Sequence, residues 1–252
     1  MTNKLKYFIG NWKMFGDFKS FSIIYKINQY AKKHRRSNKS KIVLCVPNIL
    51  IDFFRKKLKQ KSVSLGAQNC YHEEGYGPFT GAVSAGMVKK MGAEYIILGH
   101  SENRSEGETP QLIKKKIMSA LNQKLNVVLC IGEKYKDKKN KKTFSVIKKQ
   151  IQLSIGKKFN KNKIILAYEP VWSIGTNKIP NINDLKSVIK FIKSEFKKNY
   201  KTEKFPKVLY GGSVNEKNVK LLGTLTELDG FLIGGASQSS KKFIDIIKNY
   251  YK

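Results

Sequence analysis

The sequence predicts an α/β fold, a single-domain barrel of eight parallel strands, (β/α)8, and three observations carry that prediction. Eight short, nearly continuous apolar runs recur along the 252 residues. Stretches of helical period separate them, and no linker, low-complexity block or composition shift divides residues 1–252. Runs without polar alternation suit parallel strands covered on both faces. Eight strand–helix units in ~250 residues match a closed barrel. An open doubly wound sheet competes, but it usually has roughly five to seven strands and a dinucleotide loop. No G-x-G-x-x-G follows the first strand here.

The elements follow in order. The first strand is YFIGN, Tyr7–Asn11, and FSIIYKINQYAKK after it repeats apolar residues at helical spacing. IVLCV (Ile42–Val46) and VSLGA (Val63–Ala67) are the second and third strands, the latter running into a long loop from Gln68 to Gly81. YIILG (Tyr95–Gly99) is the fourth, followed by the helical QLIKKKIMSALNQ. NVVLCI (Asn126–Ile131) precedes FSVIKKQIQLSI, and IILAY (Ile164–Tyr168) precedes LKSVIKFIKSEFKK. KVLYG (Lys207–Gly211) and GFLIG (Gly230–Gly234) complete the set, and KKFIDIIKNYY closes the chain.

Composition narrows the function. No apolar run approaches the ~20 residues of a membrane helix. MTNKLKYFIGNWKMFGD carries charge on both sides of a very short apolar segment, which argues against a signal peptide. Cys45, Cys70 and Cys130 are odd in number and lack C-x-x-C spacing, so reduced, buried thiols and a cytoplasmic location are expected. The net charge of +32 raises the question of nucleic acid. It is almost all lysine, the arginines being Arg35, Arg36, Arg55 and Arg104, and it is spread over every amphipathic segment. With no recognition motif present, solvated helix faces explain it better than a specific nucleic-acid site. A basic field would still attract a small anionic substrate.

Barrel chemistry sits where strands end at their C-termini. There the sequence delivers Asn11-Trp12-Lys13, His100, Cys130-Ile131-Gly132-Glu133, Glu169-Pro170, Gly211-Gly212-Ser213 and Gly234-Gly235. Glycines let backbone N–H groups approach an anion. One glycine pair is more often a plain tight turn, but two after consecutive late strands point to phosphate. Glu169, partly desolvated before Pro170, is either a salt-bridged rim residue or a general base of raised pKa. His100 is equally ambiguous alone. Alternation in an extended chain would put Asn11 and Lys13 on one side. Together the groups suggest proton movement beside a carbonyl of a small phosphorylated substrate: Glu169 removes the proton, and His100 and Lys13 stabilise the enediolate. A phosphosugar aldolase with Lys13 as Schiff base is an alternative. No metal cluster or cofactor motif accompanies them.

GNWKM, GAQN, LGHSE, CIGE, AYEPVWSIGT, YGGSV and GGAS occur in that order over nearly the whole chain. On these motifs the sequence resembles the triosephosphate isomerases, enzymes whose acid and base groups are tuned by their surroundings. The resemblance implies a TIM barrel without cofactor, cytosolic and homodimeric through the loop after strand three, around Thr80. It implies Glu169 as the base between C1 and C2 of dihydroxyacetone phosphate and glyceraldehyde 3-phosphate. It makes His100 a neutral electrophile at a helix N-terminus, and Lys13 and Asn11 substrate contacts. Glu102 would set Lys13 and the proton relay. Gly175, Ser213, Gly234 and Gly235 would bind phosphate. Residues 170–180, beginning Pro170, Val171, Trp172, Ser173, Ile174, Gly175, Thr176, would form a lid that prevents phosphate loss.

Three departures stand out. The family's paired glutamate and arginine at the subunit contact are replaced by Ala82 and Asn103, which removes both charges together rather than stranding one. At the far hinge of the lid, Asn177-Lys178-Ile179-Pro180 ends in a proline where the family bonds a tyrosine hydroxyl, matching Tyr210, to an N–H. Proline has none; a bond from Ser213 to the Asn177 N–H would remain. HSENRSEGET is one residue tighter before Gly107 than the family's pattern, an alteration expected in the surface loop rather than the chemistry.

Overall fold

The computed structural model describes residues 4–34, 39–176, 178–201 and 205–252. Its eight strands are β1 (Lys6–Asn11), β2 (Ser40–Cys45), β3 (Ser64–Ala67), β4 (Tyr95–Leu98), β5 (Asn126–Ile131), β6 (Ile164–Tyr168), β7 (Lys207–Tyr210) and β8 (Gly230–Ile233). All neighbours pair in parallel, and β8 returns to β1 to close the barrel. The helices are α1 (Phe21–Lys33), α2 (Asn48–Lys57), α3 (Ala85–Met91), α4 (Ser101–Ser105), α5 (Pro110–Asn122), α6 (Tyr135–Lys139), α7 (Thr143–Ser154), α8 (Ile182–Tyr200), α9 (Val219–Gly223) and α10 (Ser240–Tyr251).

The apolar runs are continuous because each strand buries both faces. Ile9, Val43, Cys45, Ile97, Val128, Cys130, Ile165, Leu209 and Leu232 fill the barrel interior. Their neighbours Phe8, Leu44, Ile96, Leu129, Leu166, Val208 and Phe231 point outward into the layer shared with the helices. β3 brings Gly66 beside Cys45, where an added Cβ would stand 2.5 Å from the Cys45 sulfur. All three cysteines are buried and unpaired. Among the described residues, no helix is long and apolar enough to cross a membrane.

The predicted strands hold to within a residue or two at each end, and the differences have local causes. Gly99 leaves β4 because its φ is +68°, a left-handed turn out of the sheet. α5 starts at Pro110, where the Thr109 hydroxyl accepts from the Leu112 N–H and proline occupies the first turn. α8 begins earlier than its apolar period, at an Asn181 cap that accepts from the Asn183 N–H. The short loop before Gly107 closes by a bond from the Glu108 N–H to the Asn103 carbonyl.

The barrel's opposite, N-terminal face carries an ionic plug. Asp229 is fully buried, 2.7 Å from both Lys4 and Lys193, and accepts from the Val208 N–H. Burial opposes its charge, but those hydrogen bonds outweigh it and hold the carboxyl below its ordinary range.

Candidate active site

The parallel closure brings every strand's C-terminal end to one rim, and a cavity of about 810 Å³ opens there. Asn11, Lys13, His100, Glu169, Gly175, Ser213, Gly234 and Gly235 all line it. These residues come from five strands and the 170–180 loop, separated by over two hundred positions in the chain.

Glu169 follows β6 and is 3% exposed. Burial raises its carboxyl above the ordinary 4.5, while the His100 ring, the Cys130 thiol, Lys13 and the Ser101 N–H pull the other way. Oε1 lies 3.3 Å from His100 Nε2, and Oε2 is buried with no hydrogen-bond partner among the described residues. An unclaimed acceptor beside the cavity is what proton abstraction requires. Two glycines make room for this residue, one for its backbone and one for its side chain. A Cβ on Gly132 would stand 1.8 Å from the Glu169 carbonyl oxygen, and one on Gly211 would stand 2.7 Å from its Cγ.

His100 caps α4, and its Nδ1 accepts the Glu102 N–H at 3.3 Å. An accepting Nδ1 places the ring proton on Nε2, the nitrogen that faces Glu169 and the cavity. Nε2 is therefore the ring's donor toward the cavity. Lys13 reaches the rim differently from the expected alternation: β1 ends at Asn11, and Lys13 adopts φ +56°, left-handed for a non-glycine residue. The turn is held by a bond from the Lys13 N–H to Asn11 Oδ1, and Lys13 Nζ meets Glu102 Oε1 at 2.6 Å. Glu102 does not line the cavity; its side chain is 56% exposed and stands behind Lys13.

The glycine pairs divide their labour. An added Cβ meets nothing within 4 Å at Gly175 or Gly235, so both backbones face open space. Gly211 and Gly212 instead accommodate protein, the first against Glu169 and the second 2.3 Å from the Tyr210 hydroxyl. The pairing of Ser213 with Asn177 lies outside the described residues. The segment after Glu169 begins with a 3₁₀ turn, Val171–Ser173, docked on the loop after β5. There the Trp172 indole donates to Glu133 Oε1 at 3.0 Å, the Val171 N–H to the Glu133 carbonyl, and Lys138 stands 3.7 Å over the indole ring.

Sequence reasoning gave several supporting residues no role. Glu133 is 1% exposed and also accepts from the Tyr168 hydroxyl. Gln150 bridges both the N–H and the carbonyl of Gly132. Arg104 donates to the carbonyls of Gly99 and Cys130, tying β4 to β5 beneath His100. Glu133 stood in a recognised motif, but Gln150 looked like an ordinary helical polar residue and Arg104 lay in a stretch read as a surface loop. Among the described residues, no group of three or more His, Cys, Asp or Glu is placed to hold a metal ion.

The model of the triosephosphate isomerase family matches residues 6–250. The triosephosphate isomerase of Aquifex aeolicus is 38% identical over 243 residues, covering 95% of this chain and 97% of its own. That of Dictyoglomus thermophilum is 36% identical, covering 97% and 99%. The crystal structure of the Bartonella henselae triosephosphate isomerase superposes with a TM-score of 0.89 at 32% identity, covering 98% and 99%.

Proposed function

The chain belongs to the triosephosphate isomerase family and interconverts dihydroxyacetone phosphate and glyceraldehyde 3-phosphate, and we propose that Glu169 is the base that moves the proton. Its carboxylate takes a proton from C1 of dihydroxyacetone phosphate, and the C–H electrons pass to the C2 oxygen as the enediolate forms. His100 Nε2–H hydrogen-bonds the two enediolate oxygens and carries the proton between them. Glu169 then returns its proton to C2, leaving the carbonyl at C1. No electrons are gained or lost overall. The Lys13 ammonium and the Asn11 amide stabilise the developing negative charge, and Glu102 positions Lys13. The N–H groups of Gly175, Ser213, Gly234 and Gly235 hold the phosphate. The segment from Pro170 to Pro180 acts as the lid.

The observation that carries this reading is the buried Glu169 carboxylate, whose Oε1 lies 3.3 Å from His100 Nε2 and whose Oε2 has no hydrogen-bond partner among the described residues. A coupled isomerase assay on the wild type and Glu169→Ala tests it. Removal of the base is expected to lower kcat by at least ~10²–10⁴-fold. A fully active variant would overturn the assignment.

The whole barrel is read as one catalytic domain working in the cytoplasm as a homodimer. A second copy would cover the apolar surface left by fully exposed Met14, by Phe15 and by Tyr76 and Phe79 of the loop after β3. Thr80 stands in that loop, which is braced where Tyr71 packs on Phe79 with ring centroids 4.8 Å apart. Ala82 and Asn103 leave this contact without the glutamate–arginine pair of the family's pattern.

A further inference from the structure

Tyr210 ends β7 and is fully buried, so its hydroxyl needs a partner. Pro180 offers no N–H. Among the described residues the phenol instead meets Ser173 Oγ at 3.0 Å, and Ser173 Oγ donates to the Lys178 carbonyl at 2.6 Å. A serine hydroxyl has one proton. With that proton given to Lys178, Ser173 can only accept from Tyr210, so the direction of both bonds is fixed. Burial pushes the Tyr210 hydroxyl up to about 12, which keeps it a donor across the neutral range.

Ser173 is tied through its backbone as well. Its N–H donates to the Pro170 carbonyl at 2.7 Å, and its own carbonyl accepts the Ser213 hydroxyl at 2.6 Å. Gly212 leaves space for the arrangement, since a Cβ there would stand 2.3 Å from the Tyr210 hydroxyl and 2.8 Å from Ser173 Oγ. The side chain is wholly buried between the rigid barrel and both ends of the 170–180 segment. It lies four residues beyond Glu169 and two before Gly175.

We propose that Ser173 is a positioning residue that fastens the lid, relaying the Tyr210 phenol on the barrel to the Lys178 carbonyl on the far hinge. The relay takes the place of the direct bond to the hinge that Pro180 forbids. It rests on the reading of residues 170–180 as a lid. Its role is to hold Gly175 over the phosphate and to keep water from the enediolate while Glu169 carries the proton. A loosened lid lets the enediolate expel its phosphate: the C–O bond to the phosphate breaks, and inorganic phosphate leaves.

The test uses Ser173→Ala, Tyr210→Phe and the double variant, with kcat, KM and inorganic phosphate released per turnover as readouts. Each single variant deletes one oxygen and adds no bulk, and melting temperatures check that it folds. Each is expected to lower kcat about tenfold, roughly the worth of one hydrogen bond, with more phosphate released. The double variant is expected to be no worse than the poorer single one, because the two hydroxyls act in series. Losses that multiply, or a Ser173→Ala enzyme with wild-type kcat and phosphate release, would overturn the relay. A deletion of residues 174–176 separates the two ideas. If the deletion raises phosphate release while Ser173→Ala does not, the relay is wrong and the lid stands. If the deletion leaves phosphate release unchanged, the lid reading falls and the relay with it.

Discussion

At the residue scale, the chemistry depends on a carboxylate kept in an environment that disfavours its charge. Glu169 is buried and its pKa is raised, so the folded protein holds that proton more tightly than the unfolded chain does. The cost of the charged form is absent below the ordinary 4.5, grows as pH rises toward the folded value, and is full above it. Glu169→Gln removes the charge while keeping the shape. Its melting temperature is expected to exceed that of the wild type at pH 8, with the gap closing as pH falls to 4 and below. A gap that widened toward low pH would contradict the assignment of burial as the dominant cause. The same acid sets the low-pH limb of kcat/KM, which is expected above 4.5 for the free enzyme.

At the scale of elements, the short connections matter more than the long helices. α4 is only five residues, yet it orients His100 through the Glu102 N–H and carries both Glu102 and Arg104. The start of the segment proposed as the lid is anchored on Glu133 by Trp172 and Tyr168. Glu133→Ala deprives both donors of their acceptor, at a cost of roughly 1–3 kcal/mol in a denaturation midpoint. It is also expected to lower kcat severalfold by freeing the hinge. Glu133→Gln keeps an acceptor oxygen and should retain most of both. Equal behaviour of the two variants would show that the hydrogen bonds are not what Glu133 contributes.

At the scale of the molecule, the excess of lysine and the exposed apolar patch call for separate accounts. The positive field suits a doubly charged triose phosphate without any base-reading element to suit a nucleic acid. The patch around Met14 and the loop after β3 suits a second copy of the chain. Sedimentation at micromolar concentration is expected to show a dimer, and Met14→Glu is expected to weaken it. A wild-type monomer under those conditions would mean that the contact did not survive the change to Ala82 and Asn103.

The sequence by itself determined the barrel, because buried parallel strands leave runs that no other element leaves at that spacing. It also determined which rim residues meet, since closure brings strand ends together whatever their separation along the chain. It misjudged how Lys13 arrives, because a left-handed backbone at a lysine has no compositional mark. Nor could it show that Gly211 and Gly212 are set by packing against Glu169 and Tyr210. Only the tertiary structure decided what Tyr210 holds. A hydroxyl's partner is chosen by distances of a few tenths of an ångström across segments far apart in sequence, and Ser173 takes that place only once β7 and the lid lie side by side.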